Sequence, residues 1–152
     1  MTELANTNIE ARTLIIATQK AIEELVGSGN MQKDNSARRD FFCEGIDARE
    51  FFMPAGSLIV GKIHKYAHIN NISSGIVHVF TEQGGRETYC APCQFISPAG
   101  TKRVVLAETD TTWTTYHATS ETNADVVESM VTVTDYSDLD KISYEDLKGL
   151  IV

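Results

Sequence analysis

From about Ile46 to Val133 the chain is a succession of short β-rich runs: AREFFM, SLIVGKIH, INNIS, IVHVFT, ETYC, QFIS, RVVLA, TTWTTYH and VVESMVTV, parted by Gly, Pro, Asn and Asp. Runs this short, punctuated this often, specify a sandwich or small barrel, because each turn residue reverses the chain before a strand can lengthen. Ahead of them, residues 7–26 predict one amphipathic helix. Thr7 and Glu10 form a T-x-x-E capping box, Ala11, Leu14, Ile15, Thr18, Ile22 and Leu25 recur at helical spacing, and Gly27 and Gly29 stop the run. Residues 28–42 read as a polar connecting loop with Arg38 and Arg39 solvated. At the far end, Ser143 and Asp146 can cap a short helix over YEDLKGLI. A chain of 152 residues has room for one domain and a short extension. The expected organisation is a helix and linker over 1–42, a barrel over 43–134 and an acidic extension over 135–152.

Thirteen Lys and Arg stand against 21 Asp and Glu, a net charge of −8. That balance argues against a nucleic-acid partner, because phosphates are held mainly by positive charge. The acidity is concentrated: from Glu121 onward eight acidic residues face only Lys141 and Lys148. Such an end chiefly maintains solubility. The first twenty residues lack a basic segment followed by a long apolar run, and no stretch approaches the roughly 18 apolar residues of a membrane span, so neither a secretory signal nor a membrane partner is expected. Three cysteines, an odd number, suit a reducing cytoplasm better than a disulfide framework. Cys90-Ala-Pro-Cys93 is followed by strand and turn residues rather than a helix, and no second pair sits at zinc-finger spacing. Both thiols are therefore expected to be ordinary and partly buried.

Four histidines carry most of the candidate chemistry. His64 and His68 lie four apart in a strand context, with a turn at Tyr66-Ala67, so each imidazole sits where its strand meets the turn and both can face one cavity. His78, between Val77 and Val79 in IVHVF, is expected to face outward. Gly84-Gly85 reads as a hairpin turn, and no Ser-His-Asp order, P-loop or GxGxxG is present.

The glycine, proline and histidine spacing resembles that of the cupins, whose first motif is G(X)5HXH(X)3–4E(X)6G and whose second contains PXG(X)2H. Counted from Gly56, Lys62 falls on the first histidine, His64 on the second, His68 on the glutamate and Gly75 on the closing glycine. Pro98-Ala99-Gly100 matches PXG, and Arg103 stands at the remaining histidine. The resemblance covers roughly residues 45–120 and implies a mainly β fold, a cupin-type jelly-roll barrel with an N-terminal helix and a short C-terminal one. The strings GSLIVGKIHKYAHINNISSG, SPAGTKRVV and DTTWTTYH are also similar to small cupin-like proteins of bacteriophages and bacteria.

The departures from the family pattern bear on function. Of the four usual ligand positions His64 alone keeps its expected residue, His68 replaces a glutamate, and Lys62 and Arg103 cannot ligate a divalent ion while charged. In TTWTTYH, Trp113, Thr115 and His117 alternate onto one face, so an inward face would make His117 a third ligand beside His64 and His68. Such a set suits Zn, Fe, Mn or Ni without choosing among them. The other reading of His117 is a hydrogen-bonding histidine near the barrel mouth. Without a metal, Lys62, His64, His68 and Arg103 would converge on a small anion that Arg103 can hold bidentately, with Trp113 as an aromatic wall. Tyr116, on the opposite phase of the strand from Trp113, is the candidate proton donor if the chain is an enzyme.

Two functions follow as expectations. One is a cupin-like small-molecule or metal-binding protein, catalytic on a small acidic substrate if it is an enzyme, with one divalent metal on His64, His68 and His117 and with Lys62 and Arg103 orienting the acidic group. Isomerase, dioxygenase and lyase chemistries all occur in such barrels, and the fold chooses none of them. The other is a non-enzymatic assembly component, for example an accessory part of a phage particle, whose helix packs on a neighbour. A homo-oligomer, at least a dimer, is expected in either case. The expected compartment is the cytoplasm, or for a phage protein the host cytoplasm or virion.

Overall fold

The structure, a computed structural model, describes residues 2–32 and 36–139. The short helix expected over 144–151 lies outside the described residues. Helix α1 (Thr2–Gly27) begins five residues ahead of Thr7 and ends at the expected glycine, so Thr7 lies inside the helix rather than capping it. Its buried side runs through Ala11, Ile15, Thr18, Ile22 and Val26, with Ile15 fully buried, whereas Leu14 (52% exposed) and Leu25 stand to one side. Arg12 fastens the helix to the body through Glu82 at 2.6 Å and lies over the Tyr136 ring at 4.4 Å. No helix of the described residues is long and apolar enough to cross a membrane.

The strands are β1 (Ala37–Cys43), β2 (Ile46–Met53), β3 (Leu58–Val60), β4 (Ile63–His64), β5 (His68–Ser74), β6 (Ile76–Thr81), β7 (Gly85–Cys90), β8 (Cys93–Ser97), β9 (Val104–Ala107), β10 (Thr111–Ala118) and β11 (Thr132–Val133). Helix α2 (Ala124–Val131) and the single turn α3 (Tyr136–Leu139) flank β11. One antiparallel sheet has the order β1-β2-β10-β5-β8, a second the order β3-β9-β6-β7, and β4 pairs with β11. Met53, Ile72 and Trp113 from the first sheet meet Val77, Val79, Val105 and Ala107 from the second in one core. The fold is thus mainly β, two facing antiparallel sheets as the turn spacing implied, and of the jelly-roll type that the resemblance implied.

Three local expectations are corrected. SLIVGKIH is not one strand: it breaks at Gly61-Lys62, and its halves β3 and β4 join different sheets. Residues 37–42 of the supposed loop, together with Cys43, form the edge strand β1, whose polar sequence suits an edge rich in ion pairs. Arg38 there is engaged, not merely solvated, lying 3.1 Å from Asp40, 3.1 Å from Asp125 and 2.7 Å from Glu128; Arg39 pairs with Glu50 at 2.9 Å. Finally, VVESMV is helix rather than strand. Asn123 caps it by accepting from the backbone N–H groups of Asp125 and Val126, and Val127 and Val131, four apart, bury one face. A β-branched run of this length fits either period, and the cap decides it.

Gly75, the glycine closing the first motif, has φ +98 in the tight connection from β5 to β6. A Cβ there would collide with Thr111 Oγ1, and would come within 2.5 Å of the Asp110 carbonyl oxygen and 2.7 Å of Thr111 Cα. Gly75→Ala is expected to cost at least about 2 kcal/mol of stability by chemical denaturation, because strain and clash with backbone add. A loss below about 0.5 kcal/mol would show that the turn relaxes freely.

Candidate functional site

Two-residue alternation decides what faces inward. On β2, Arg49, Phe51 and Met53 line a cavity of about 150 Å³ between the sheets; Trp113 and Thr115 of β10 and Asn70 of β5 do the same. From the opposite wall come Ile59, Gly61, Lys62, His64, Arg103 and Val105. The lining combines apolar Phe51, Met53 and Trp113 with polar His64, Asn70 and Arg103.

Three of the four histidines meet in one cluster at the cavity wall. The ring centroids of His64 and His68 lie 4.2 Å apart, and His117 is 5.5 Å from each. Of the three, His64 lines the cavity, and His68 and His117 stand beside it. His64 Nδ1, His68 Nε2 and His117 Nε2 are buried without a hydrogen-bond partner among the described residues. His68 Nδ1 lies 3.0 Å from the Tyr66 carbonyl oxygen, which can only accept. That bond puts the proton on Nδ1 and leaves Nε2 as a lone pair.

All three rings are neutral at neutral pH. Burial, followed by His68, His117, Arg103 and Arg49, pulls the His64 imidazole down to about 2. Burial, with His68 and Arg49, pulls His117 down to about 4 against a smaller opposing effect of Asp40. Burial also lowers His68, which the Tyr66 carbonyl partly offsets. Neutral imidazole is the form that ligates a metal, so the donor set has the right chemistry. Its present geometry is not yet that of a ligand set. Among the described residues no three His, Cys, Asp or Glu side chains converge on a metal position. The planes of His64 lie only 26° from His68 and 14° from His117, whereas rings around one ion each contain it and must splay. Rotation about χ2 supplies the splay, and that torsion is broad for histidine.

Arg103 lines the same cavity close to the histidines, and its charge lowers both His64 and His68. Its guanidinium donates to Ser97 Oγ and lies 5.6 Å from the Trp113 ring and 5.9 Å from Phe95. Ser97 Oγ also accepts from Asn70 Nδ2 at 2.7 Å, and Asn70 Oδ1 accepts from Trp113 Nε1 at 3.0 Å. This chain of bonds fixes Arg103 from behind. No carboxylate lies within ion-pair distance of it among the described residues, and burial pulls it down to about 10, with partial compensation from Tyr89 and Glu87. At neutral pH it therefore remains a desolvated cation facing a cavity.

The remaining candidates fare differently. Trp113 is buried and forms a cavity wall, as expected. Lys62 sits at the rim with its Nζ 2.6 Å from Glu128 of α2, so its charge is already matched. Burial would raise the Glu128 carboxyl, but Lys62 and Arg38 together hold it below its ordinary value. Tyr116 points out of the barrel, because it takes the opposite phase of β10 from Trp113 and His117. Its proton-donor role is thereby lost. Instead it joins Phe41, Ala48, Ile69 and Ile96 in one apolar row across the outer face of the five-stranded sheet, where Ile96 is 72% exposed. His78 is outward as expected, held between Thr88 at 2.9 Å and Glu108 at 2.6 Å. The cysteines are free thiols, and Cys93 is raised by burial and by Cys90, the direction opposite to a redox nucleophile.

Sequence reasoning missed Asn70, Ser97, Arg49 and Asp47. Asn70 was findable, since it follows His68 by two in a strand and so shares its face. Asp47 and Arg49 become inward only once β2 is known to begin at Ile46.

No protein-family model matches the chain, and no curated protein does. Solved structures do match in fold. An RmlC-like cupin from Shewanella frigidimarina superimposes with a TM-score of 0.50 at 15% identity, over 63% of this chain and 85% of its own. Ectoine synthase from P. lautus does so with a TM-score of 0.54 at 11% identity, over 75% of this chain and 86% of its own. Likeness at such identities is likeness of fold.

Proposed function

We propose that this chain, a cupin by fold, is a small-molecule-binding protein in which His64, His68 and His117 hold one divalent metal and Arg103 receives an acidic group of the ligand. The observation that carries the reading is the set of three buried imidazole nitrogens, one on each ring of a single cluster, that lack any partner among the described residues. A buried polar atom without a partner costs about 1–3 kcal/mol, and three such costs in one place are what a metal would relieve. The donor set of three neutral imidazoles suits Zn, Fe, Mn or Ni. When bound, the metal would act as a Lewis acid on a ligand oxygen. The chain's own residues do the rest. Trp113, Phe51 and Met53 exclude water, and Arg103, anchored by Ser97, orients a carboxylate by charge-assisted bonds.

Elemental analysis of protein purified without added metal tests this reading. The wild type is expected to carry close to one divalent ion per chain, and His64→Ala, His68→Ala and His117→Ala are each expected to lose it. Wild-type protein without metal, and with no uptake of added Zn²⁺, would overturn the metal centre. The Arg103 cavity would then stand as an anion site on its own.

A further inference from the structure

We propose that Asp47 is a positioning residue for His117, accepting the Nδ1–H of that imidazole so that its Nε2 offers a lone pair to the middle of the histidine cluster. The use of that lone pair rests on the metal reading above; the bond itself rests on placement. β2 and β10 pair with Asp47 opposite His117. Opposed residues of an antiparallel pair share one face, with Cα atoms about 4.5–5.5 Å apart. The face is the inner one, because Arg49, Phe51 and Met53 follow Asp47 at alternate positions and line the cavity. One step beyond the Tyr116–Ile69 pair sets His117 opposite His68, and His68 opposes Ser97 on β8. Asp47, His117, His68 and Ser97 therefore form one polar row across four neighbouring strands, and Asp47 is the acid in it.

Asp47 is fully buried, and neither carboxyl oxygen has a hydrogen-bond partner among the described residues. The cation nearest it, Arg49, stands off at 3.6 Å and directs its bonds elsewhere. Arg49 Nε donates to Asp40 at 2.8 Å, and its NH2 donates to the Ala124 carbonyl at 2.9 Å. Asp40, the other carboxyl facing Asp47, is itself engaged by Arg49 and Arg38. Burial, and then the Asp40 carboxyl beside it, raise the Asp47 carboxyl. No donor of the described residues reaches either oxygen as the rings stand, and the adjacent strand carries an imidazole that rotation about χ2 can turn towards it. His68 already shows the arrangement, with Nδ1 bonded to a carbonyl and Nε2 left open; Asp47 would do for His117 what the Tyr66 carbonyl does for His68. Protonated or ionised, a carboxyl keeps an oxygen lone pair, so the bond does not depend on its charge.

The tautomer of His117 reports the bond directly. Long-range ¹H–¹⁵N spectra of the metal-free protein are expected to show His117 as the Nδ1–H form. Asp47→Ala should shift it towards Nε2–H, and Asp47→Asn, which keeps an oxygen acceptor, should restore Nδ1–H. Asp47→Leu takes the place of alanine should that variant not fold. A tautomer that is the same in wild type and in the variant without an acceptor overturns the proposal. Zn²⁺ alone reads the consequence: removal of the acceptor should weaken its binding about 10–100-fold, with Asp47→Asn closer to wild type. Wild-type affinity in the variant without an acceptor overturns the positioning role. A wild type that binds no Zn²⁺ overturns the metal reading instead, and the tautomer then decides Asp47 by itself.

Discussion

Replacing Trp113 with alanine is expected to cost about 3–5 kcal/mol of folding stability, a large share of the roughly 5–15 kcal/mol that holds a domain together. The side chain is 6% exposed and belongs both to the core and to the cavity wall. It packs in the core with Ile72, Val77 and Val105, and meets Phe95 edge-on at 5.7 Å. Its removal leaves a cavity that the rigid strands on either side cannot close. It also strips Asn70 Oδ1 of its donor, adding the cost of a buried acceptor left without a partner. Trp113→Phe separates these contributions, since it keeps most of the packing and loses only the N–H; a loss of about 1–2 kcal/mol is expected there. Denaturant titration of the three proteins measures both. A loss below about 1.5 kcal/mol for Trp113→Ala would show that this wall is not part of the core.

Arg103→Met is expected to have the opposite balance, with binding lost and the fold unharmed. A guanidinium donating charge-assisted bonds to a carboxylate contributes about 1.5–3 kcal/mol, so affinity for small mono- and dicarboxylates should fall about 10–150-fold by calorimetry. The ligand-free protein should be as stable as the wild type, or more so. Arg103 is pulled below its ordinary pKa, which means that the folded surroundings disfavour its charge. A base lowered in this way withholds stability at neutral pH and returns it only as the pH rises past the folded value of about 10. An apolar side chain of similar length removes that penalty. Arg103→Lys is expected to bind poorly as well, because an ammonium cannot form the planar fork. A strongly destabilised Arg103→Met protein would show that the cation holds the fold rather than a ligand.

Much of the barrel was legible in the chain. IVHVFT became β6 residue for residue, and TTWTTYH became β10 with one residue added. Strict alternation in these runs gave Trp113 and His117 their inward face and His78 its outward one, since the side-chain period of a strand is two whatever the fold. The same rule already placed Tyr116 away from Trp113. What misled was composition without a period. ARRDFFC looked like a loop because its charges are those of an edge strand, and VVESMV looked like a strand because its helical cap lies before the run.

Local pattern, then, settled by itself the β class, many of the turns, and which residues of a recognised strand share a face, because φ/ψ preference and alternation depend on near neighbours alone. Tertiary structure decided which strands lie side by side and what surrounds each charge. Lys62 found Glu128 on a helix that folds back over the rim, and Arg103 found no carboxylate among the described residues. Asp47, His117 and His68 fell into one row only because β2 and β5 flank β10. Pairing between distant strands is set by how both sheets bury their apolar faces together, and the neutrality of the imidazoles by the low-dielectric surroundings this creates; no short stretch of sequence contains either.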